Sequence, residues 1–439
     1  MTNRNFYVES VKIHGFWGEY NVALQFYDDL NFIIGRNGSG KTTIINLIAA
    51  ALRGDIATLY SISFDKIEIA LRARKKTTKP VIEVSRPVDE DMGSVNIRYS
   101  IRTKAGSDEN VIMFGGPYEQ RFFRDAKYYN AARRSRIPRK ALENLESVLG
   151  SLVEVNWLSV HRAGFQSDHD EFHENPTRTG IDAKITTAIR GFASYFSLLS
   201  SQRDVETKRF QKEIISNLLE NNAFEALKLL NTIDRQVENK LVVGALKDLG
   251  FSDEEANLTI EQLGRDISNI KERVRSNRDI GKLSVEDFAA IAKVDRIASI
   301  VEKWRIFEKK RSLIFEPKTV FEEIINNLLA GKKVDFDERN IPQISLDSGG
   351  KLSVSDLSSG EKQLFILLSE ALLQENRPVV FISDEPELSL HVSWQNVLFK
   401  NIRRLNSSCQ IITATHSPDI VGPFTNRIIK IEDCVRHAH

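Results

Sequence analysis

One string constrains the fold of this chain more than any other: Gly35-Arg36-Asn37-Gly38-Ser39-Gly40-Lys41-Thr42. It fits G-x-x-x-x-G-K-[ST], a loop that works only between a buried strand and a helix. Both neighbours are legible. Asn31-Phe32-Ile33-Ile34 is a short, mostly apolar run ending at the loop, and Ile44, Ile45, Leu47 and Ile48 supply the apolar positions of a following helix. The loop's glycines, Gly35, Gly38 and Gly40, let backbone N–H groups turn inward around phosphate oxygens. The helix that follows offers its dipole to the same anion. Lys41 adds a point charge for the β- and γ-phosphates, and the Thr42 hydroxyl is a ligand for Mg²⁺. Asn37 and Thr43 belong to the same set of expected nucleotide contacts. The expectation is an α/β chain that binds ATP.

Three downstream strings supply what such a loop needs. Val379-Val380-Phe381-Ile382 is a buried strand ending at Ser383-Asp384-Glu385, so it carries acids to a strand's C-terminal edge, where α/β sheets place their ligands. Asp384 can hold the hydration shell of Mg²⁺, and Glu385 can take a proton from an attacking water. Ile411-Ile412-Thr413-Ala414-Thr415-His416-Ser417 is a second strand, ending in a histidine able to reach a γ-phosphate. Leu357-Ser358-Ser359-Gly360-Glu361 precedes a helix running through Leu364, Leu367, Leu368 and Leu372. A serine hydroxyl and glycine N–H groups at a helix start form another anion site. The loop helix already approaches the phosphates from one side, so Ser358 and Gly360 can reach them only from the opposite face.

With these strings in order, the chain resembles the ABC ATPase superfamily, and within it the OLD-, RecF- and SMC-like branch. Leu357 to Glu361 is similar to the ABC signature motif. Asp384-Glu385-Pro386-Glu387-Leu388-Ser389-Leu390-His391 and Ala414-Thr415-His416-Ser417-Pro418 are especially like OLD-type ATPases. The resemblance implies an ABC head with an antiparallel β-subdomain and a helical, short coiled-coil insertion. It implies that Glu385 is the catalytic base, that His416 is the switch histidine, and that Asp384 coordinates metal through water. It also implies a homodimer closing around ATP, with Ser358 and Gly360 acting on the other copy's nucleotide and Leu388 to His391 crossing between copies. A higher oligomer could be built from such dimers. The glutamine that links ATP to the helical lobe in this family could be Gln120 or Gln166, or Arg162 could replace it.

Only twenty-three residues follow His416, too few for the TOPRIM nuclease of full-length OLD proteins. A stand-alone ATPase is therefore expected, similar to the ATPase components of the PARIS and Septu antiphage systems, with the PARIS type favoured on size. The implied partners are a separate effector protein, such as a TOPRIM-like nuclease, and a phage protein as trigger. The rival expectation is a RecF-like repair or DNA-loading ATPase that acts on nucleic acid directly.

The remaining sequence sets the domain plan. Residues 1–180 hold the loop and a β-rich lobe, 181–315 a helical insertion, and 316–439 the second part of the head. Within the first part, Val8, Val11 and Ile13 open a strand. Ile67, Ile69 and Leu71 alternate with polar residues, as do Val95, Ile97, Tyr99 and Ile101, which describes antiparallel strands with one exposed face. In the insertion, Ile260, Leu263, Ile267, Ile270 and Val274 make one apolar seam, and Val294, Ile297, Val301 and Trp304 another. A turn near Gly281 would pair them as a short coiled-coil hairpin, and a plain helical lobe with a buried stripe fits the same spacing.

Lys+Arg 61 against Asp+Glu 60 gives a net charge of +1, which calls for neither nucleic acid nor a membrane. Two cysteines, no long apolar run and a polar N-terminus suit a soluble cytoplasmic protein. Two basic clusters, Arg72, Arg74, Lys75, Lys76 and Lys79, and Arg133, Arg134, Arg136, Arg139 and Lys140, read as solvated faces rather than nucleic-acid sites. His169, Asp170, His173 and Glu174 have helical metal-ligand spacing but stand in a polar stretch beside Pro176. His437 to His439 read as a disordered tail.

Overall fold

A computed structural model describes residues 6–74, 78–89, 94–103, 110–114, 136–158, 180–219, 235–276 and 285–438. Strands β1 (Phe6–Phe16), β2 (Tyr20–Gln25) and β3 (Leu30–Ile34) lead into helices α1 (Lys41–Arg53) and α2 (Ile56–Ser61). Next come β4 (Lys66–Ala73), β5 (Val81–Ser85), the two-residue strands β6 (Val88–Asp89) and β7 (Ser94–Val95), β8 (Ile97–Arg102) and β9 (Asn110–Phe114). Helix α3 (Arg136–Leu152) and β10 (Glu154–Leu158) follow. The long helices are α4 (Gly180–Leu219), α5 (Arg235–Asp248), α6 (Asp253–Ser276) and α7 (Val285–Leu328). The chain then forms β11 (Lys332–Phe336), β12 (Pro342–Leu346), β13 (Lys351–Leu352), α8 (Ser359–Leu373), β14 (Val379–Asp384) and α9 (Val392–Leu405). It finishes with β15 (Gln410–Ala414), α10 (Pro418–Val421), β16 (Ile428–Lys430), α11 (Ile431–Cys434) and β17 (Val435–His437).

The chain divides into two compact units, Met1–Phe192 with Val320–His439, and Ala193–Thr319. The first unit is α/β. Its parallel sheet has the order β10-β14-β15-β3-β16, and its three central strands, β14, β15 and β3, are buried almost throughout, the pattern of strands covered on both faces. Its antiparallel sheet has the order β17-β2-β1-β4-β5-β8-β9. Helix α1 is apolar nearly all round, and its side chains share one continuous core with strands of both sheets, Ile13, Ile67 and Tyr99 from one and Val380, Ile382 and Ile412 from the other. Ile44, Ile45, Leu47 and Ile48 are fully buried, worth roughly 1.5–3 kcal/mol each. The helix that presents the phosphate loop is thereby a core element.

Val8, Val11 and Ile13 are all fully buried, although an odd spacing should put Val8 and Val11 on opposite faces. A register shift against β4 between Val8 and Ser10 resolves this: an extra residue in β1 returns both valines to the core face. One buried amide, Gln410, joins the two sheets, and a second, Asn31, ties β3 to β15 and to the Tyr27 backbone. Gln410 accepts the Val8 N–H and donates to the carbonyls of Val8 and Tyr27, each at 2.8 Å. Asn31 accepts the Tyr27 N–H at 2.7 Å and donates to the carbonyls of Tyr27 and Ile411.

The second unit has a core of Phe210 and Ile214 from α4, Ala245 from α5, and Trp304 and Phe307 from α7. Gly244 is required there, because a Cβ would stand 2.6 Å from the Trp304 ring. The Trp304 indole N–H donates to Asp248 at 2.8 Å. Both helices of the expected hairpin form, and Trp304, the last residue of its seam, packs against α4 and α5. The turn near Gly281 and the side chains of Leu263, Ile267, Ile270, Val274, Val294 and Ile297 lie outside the described residues.

The C-terminal segment departs from expectation. Val435 to His437 form β17 on β2, the His437 ring lies 4.7 Å from that of Tyr20, and the Ala438 N–H donates to Glu19. An antiparallel edge gives His437 and Ala438 backbone partners, so these two are ordered rather than part of a tail, and His439 lies outside the described residues. Among the described residues no helix is long and apolar enough to cross a membrane.

Candidate nucleotide site

The parallel sheet aligns its strand ends. Asp384 at the end of β14 pairs with Ala414 of β15, which pairs in turn with Ile33 of β3. All three strands point the same way, so the loop after β3, the acids after β14 and the histidine after β15 emerge at one edge. The residues brought together are the ones expected: Thr42 donates its hydroxyl to Asp384 at 3.2 Å, and His416 Nε2 stands 3.8 Å from Glu385 Oε1.

In the phosphate loop, Gly38 and Gly40 have φ of 81° and 86°, in the left-handed region that glycine adopts without strain. Gly35 serves another purpose. A Cβ there would meet Ile431 at 2.3 Å, so glycine admits the C-terminal segment against the loop. Lys41 is buried and donates to the carbonyls of Gly35 and Arg36, both at 2.9 Å. Burial pulls its ammonium below the ordinary lysine range, opposed by the charges of Glu432, Glu385 and Asp384. Asn37 is exposed, and Thr43 is half-buried on the first turn of α1.

Thr42 and Asp384 fit a magnesium ion. Mg²⁺ takes one or two protein oxygens and completes its shell with phosphate and water, and these two hard oxygens already adjoin. Among the described residues no three His, Cys, Asp or Glu side chains converge on a metal-sized site. The Ser39 hydroxyl, buried without a partner among the described residues, is an orphaned polar atom within the same loop.

Ser358 and Gly360 stand at the start of α8. Ser358 forms a reciprocal capping box with Glu361, whose carboxylate accepts the Ser358 N–H at 2.9 Å. A Cβ on Gly360 would stand 2.4 Å from the carbonyl oxygen of Ser389, so glycine allows this helix start to touch the loop after the acids. Ser389 has a φ of 73° and Glu385 a φ of 47°, so that loop holds two non-glycine residues in the left-handed region. Ser358 is exposed, and its hydrogen bonds run to Glu361 rather than to the phosphate loop.

Four residues join the site that sequence reading leaves out. Glu432 on α11 accepts the Arg36 N–H at 2.7 Å, and this bond holds its carboxyl below the ordinary range. Trp17 has a φ of 55°, stacks on Phe16 with ring centroids 4.4 Å apart, and is 46% exposed. Its ring would lie 3.1 Å from a Cβ on Gly40, so a partly exposed indole adjoins the phosphate loop. Glu387 binds the turn carrying His416, and Lys332 binds Glu361. Gln120, Arg162, Gln166 and the His169–Glu174 group lie outside the described residues, as do Lys75, Lys76, Arg133 and Arg134. Of the basic residues described, Arg72 and Lys79 pair with Glu9 and Arg74 with Asp28, as on a solvated face.

The chain is 26% identical over 196 residues to the "Retron Vc95 probable ATPase" of Vibrio cholerae serotype O1 biovar El Tor, covering 38% of this chain and 36% of that one. It is 29% identical over 134 residues to the zinc import ATP-binding protein ZnuC of Wigglesworthia glossinidia brevipalpis, covering 28% and 56%. The chain therefore spans well under two thirds of either relative's length. Among solved structures, the Smc head domain with an extended coiled coil bound to the C-terminal domain of ScpA, derived from Pyrococcus furiosus, is similar at 15% identity. Its TM-score is 0.44, with 99% of this chain and 96% of that one covered. The AAA ATPase domain family AAA_15 matches residues 7–421, and the chain belongs to that family.

Proposed function

We propose that this protein is an ATP-driven switch, a homodimer that closes around two ATP molecules and opens on hydrolysis, and that it controls a separate effector in bacterial antiphage defence. The observation that carries the ATPase half is the shared strand edge, where Thr42 meets Asp384 and His416 stands 3.8 Å from Glu385. Backbone N–H groups of Gly38 to Lys41 cradle the phosphates, and Lys41 exchanges the carbonyls of Gly35 and Arg36 for β- and γ-phosphate oxygens. Thr42 and Asp384 would hold Mg²⁺, which neutralises phosphate charge when bound. Glu385 takes the proton of the attacking water, and His416 donates to the γ-phosphate.

Ser358 and Gly360 act on the nucleotide of the second copy. Their reading in trans is supported by the exposure of Ser358, whose bonds run to Glu361, whereas Gly360 is buried with its backbone against the loop at Ser389. The resemblance of Asp384–His391 and Ala414–Pro418 to OLD-type ATPases supports the defence role, with a TOPRIM-like nuclease as effector and a phage protein as trigger. The match to the retron Vc95 probable ATPase agrees with the ATPase half of this reading.

Turnover of wild type and Glu385→Gln, with gel filtration in ATP and Mg²⁺, tests the core of this reading. Glu385→Gln should lose about 10²-fold or more in kcat and elute as a dimer only with ATP. Wild-type turnover in the variant sinks the base assignment, and a monomer under all conditions sinks the dimeric switch.

A further inference from the structure

We propose that Glu387 is a positioning residue for hydrolysis, setting His416 against Glu385. The inference rests on the reading of Glu385 as the base. Strands β14 and β15 run in register to Asp384 and Ala414, and the Glu385 N–H donates to Ala414 at 2.9 Å. There the backbone ladder ends, just short of the two residues whose relative placement matters. Beyond it Glu387 takes over with its side chain. One carboxylate oxygen, Oε1, accepts the Thr415 hydroxyl at 2.6 Å, the His416 N–H at 3.0 Å and the Ser417 N–H at 3.2 Å. Three consecutive residues of the turn are gathered on a single atom.

The second oxygen, Oε2, is buried with no hydrogen-bond partner among the described residues, and the residue is only 8% exposed. A carboxylate serving only to satisfy buried donors would spread three of them over both oxygens, since an unmade bond on a buried acceptor is costly. Concentrating them on Oε1 fixes the orientation of one turn. The His416 side chain itself is exposed, so the turn's backbone sets where its ring goes. The same short segment is anchored to the signature helix, because Gln363 donates to the Pro386 carbonyl at 2.9 Å. Glu387 thus links the histidine turn to the segment that holds the base and touches α8.

The test measures ATP turnover and equilibrium binding of a fluorescent ATP analogue for Glu387→Ala, Glu387→Gln and Thr415→Val, with Glu385→Gln alongside. Glu387→Ala should lose about tenfold or more in kcat, with nucleotide affinity and the number of binding sites changed less than about threefold. Glu387→Gln keeps an acceptor at Oε1 and should recover most of that loss. Thr415→Val removes one donor and should fall between. Turnover of Glu387→Ala within about threefold of wild type overturns the proposal, as does a rate that falls only in step with lost binding sites. Full activity in Glu385→Gln would instead remove the base assignment underneath it. An inactive Glu385→Gln beside a fully active Glu387→Ala would remove the positioning role alone.

Discussion

Both oxygens of Glu361 lie 2.7 Å from the Lys332 ammonium, and one of them also accepts the Ser358 N–H. The side chains are 11% and 22% exposed, so the pair is largely out of water. Burial alone would raise the Glu361 carboxyl, but Lys332 and Ser358 outweigh it and hold the group below its ordinary range. A carboxyl depressed in the folded state stabilises above its unfolded pKa, and that contribution is lost as pH falls through the folded value. Lys332→Met leaves the buried charge unpaired and should cost on the order of 1–3 kcal/mol at pH 7. The deficit should shrink on acidification, because the stranded carboxyl then takes up a proton. Urea midpoints of both proteins at neutral and acid pH check this, and a deficit equal at both would refute the pairing. Lys332 stands 29 positions from Glu361, Thr415 stands 28 from Glu387, and Glu432 stands 396 from Arg36. Such contacts leave no local pattern, whereas Lys41, Thr42, Asp384 and Glu385 stand in strings whose chemistry is read from adjacent residues.

At the scale of the element, alternation and apolar runs made both sheets legible, while their connections were not. The four apolar residues of β14 and the alternating strands β4 and β8 carry their own burial pattern. The bulge in β1 shows only as an odd spacing between Val8 and Val11, and Val435 to His437 hold too few residues to signal a strand without β2 beside them. Gln410 opens an otherwise apolar strand, and its purpose emerges from partners in β1 and at Tyr27. Gln410→Leu fills a similar volume but takes the side-chain partner from the Val8 N–H and carbonyl in a buried seam, while the Tyr27 carbonyl keeps its bond from Asn31. It should cost about 2–4 kcal/mol in urea unfolding. A loss below about 0.5 kcal/mol would mean that water or backbone shifts replace the amide, and that the sheets do not depend on it.

At the scale of the whole molecule, the proposed switch turns on whether Ser358 serves its own phosphate loop or that of a second copy. Two variants separate these. Lys41→Ala removes the phosphate charge of one loop, and Ser358→Arg places a long cation at the start of α8 where the second copy's nucleotide would lie. Each variant alone disables both sites of a twofold dimer. In a mixed dimer the two lesions fall on the same composite site, and the other site combines an intact Lys41 with an intact Ser358. Random mixing at equal amounts makes about half the dimers mixed, each with one working site, so about a quarter of wild-type turnover should return. The recovered rate should follow the product of the two concentrations, peaking near equal amounts. If Ser358 acted within its own chain, every copy in the mixture would carry a lesion and no ratio would restore activity. Gel filtration of each variant in ATP shows that association survives, so silence in the mixture would count against the shared site itself.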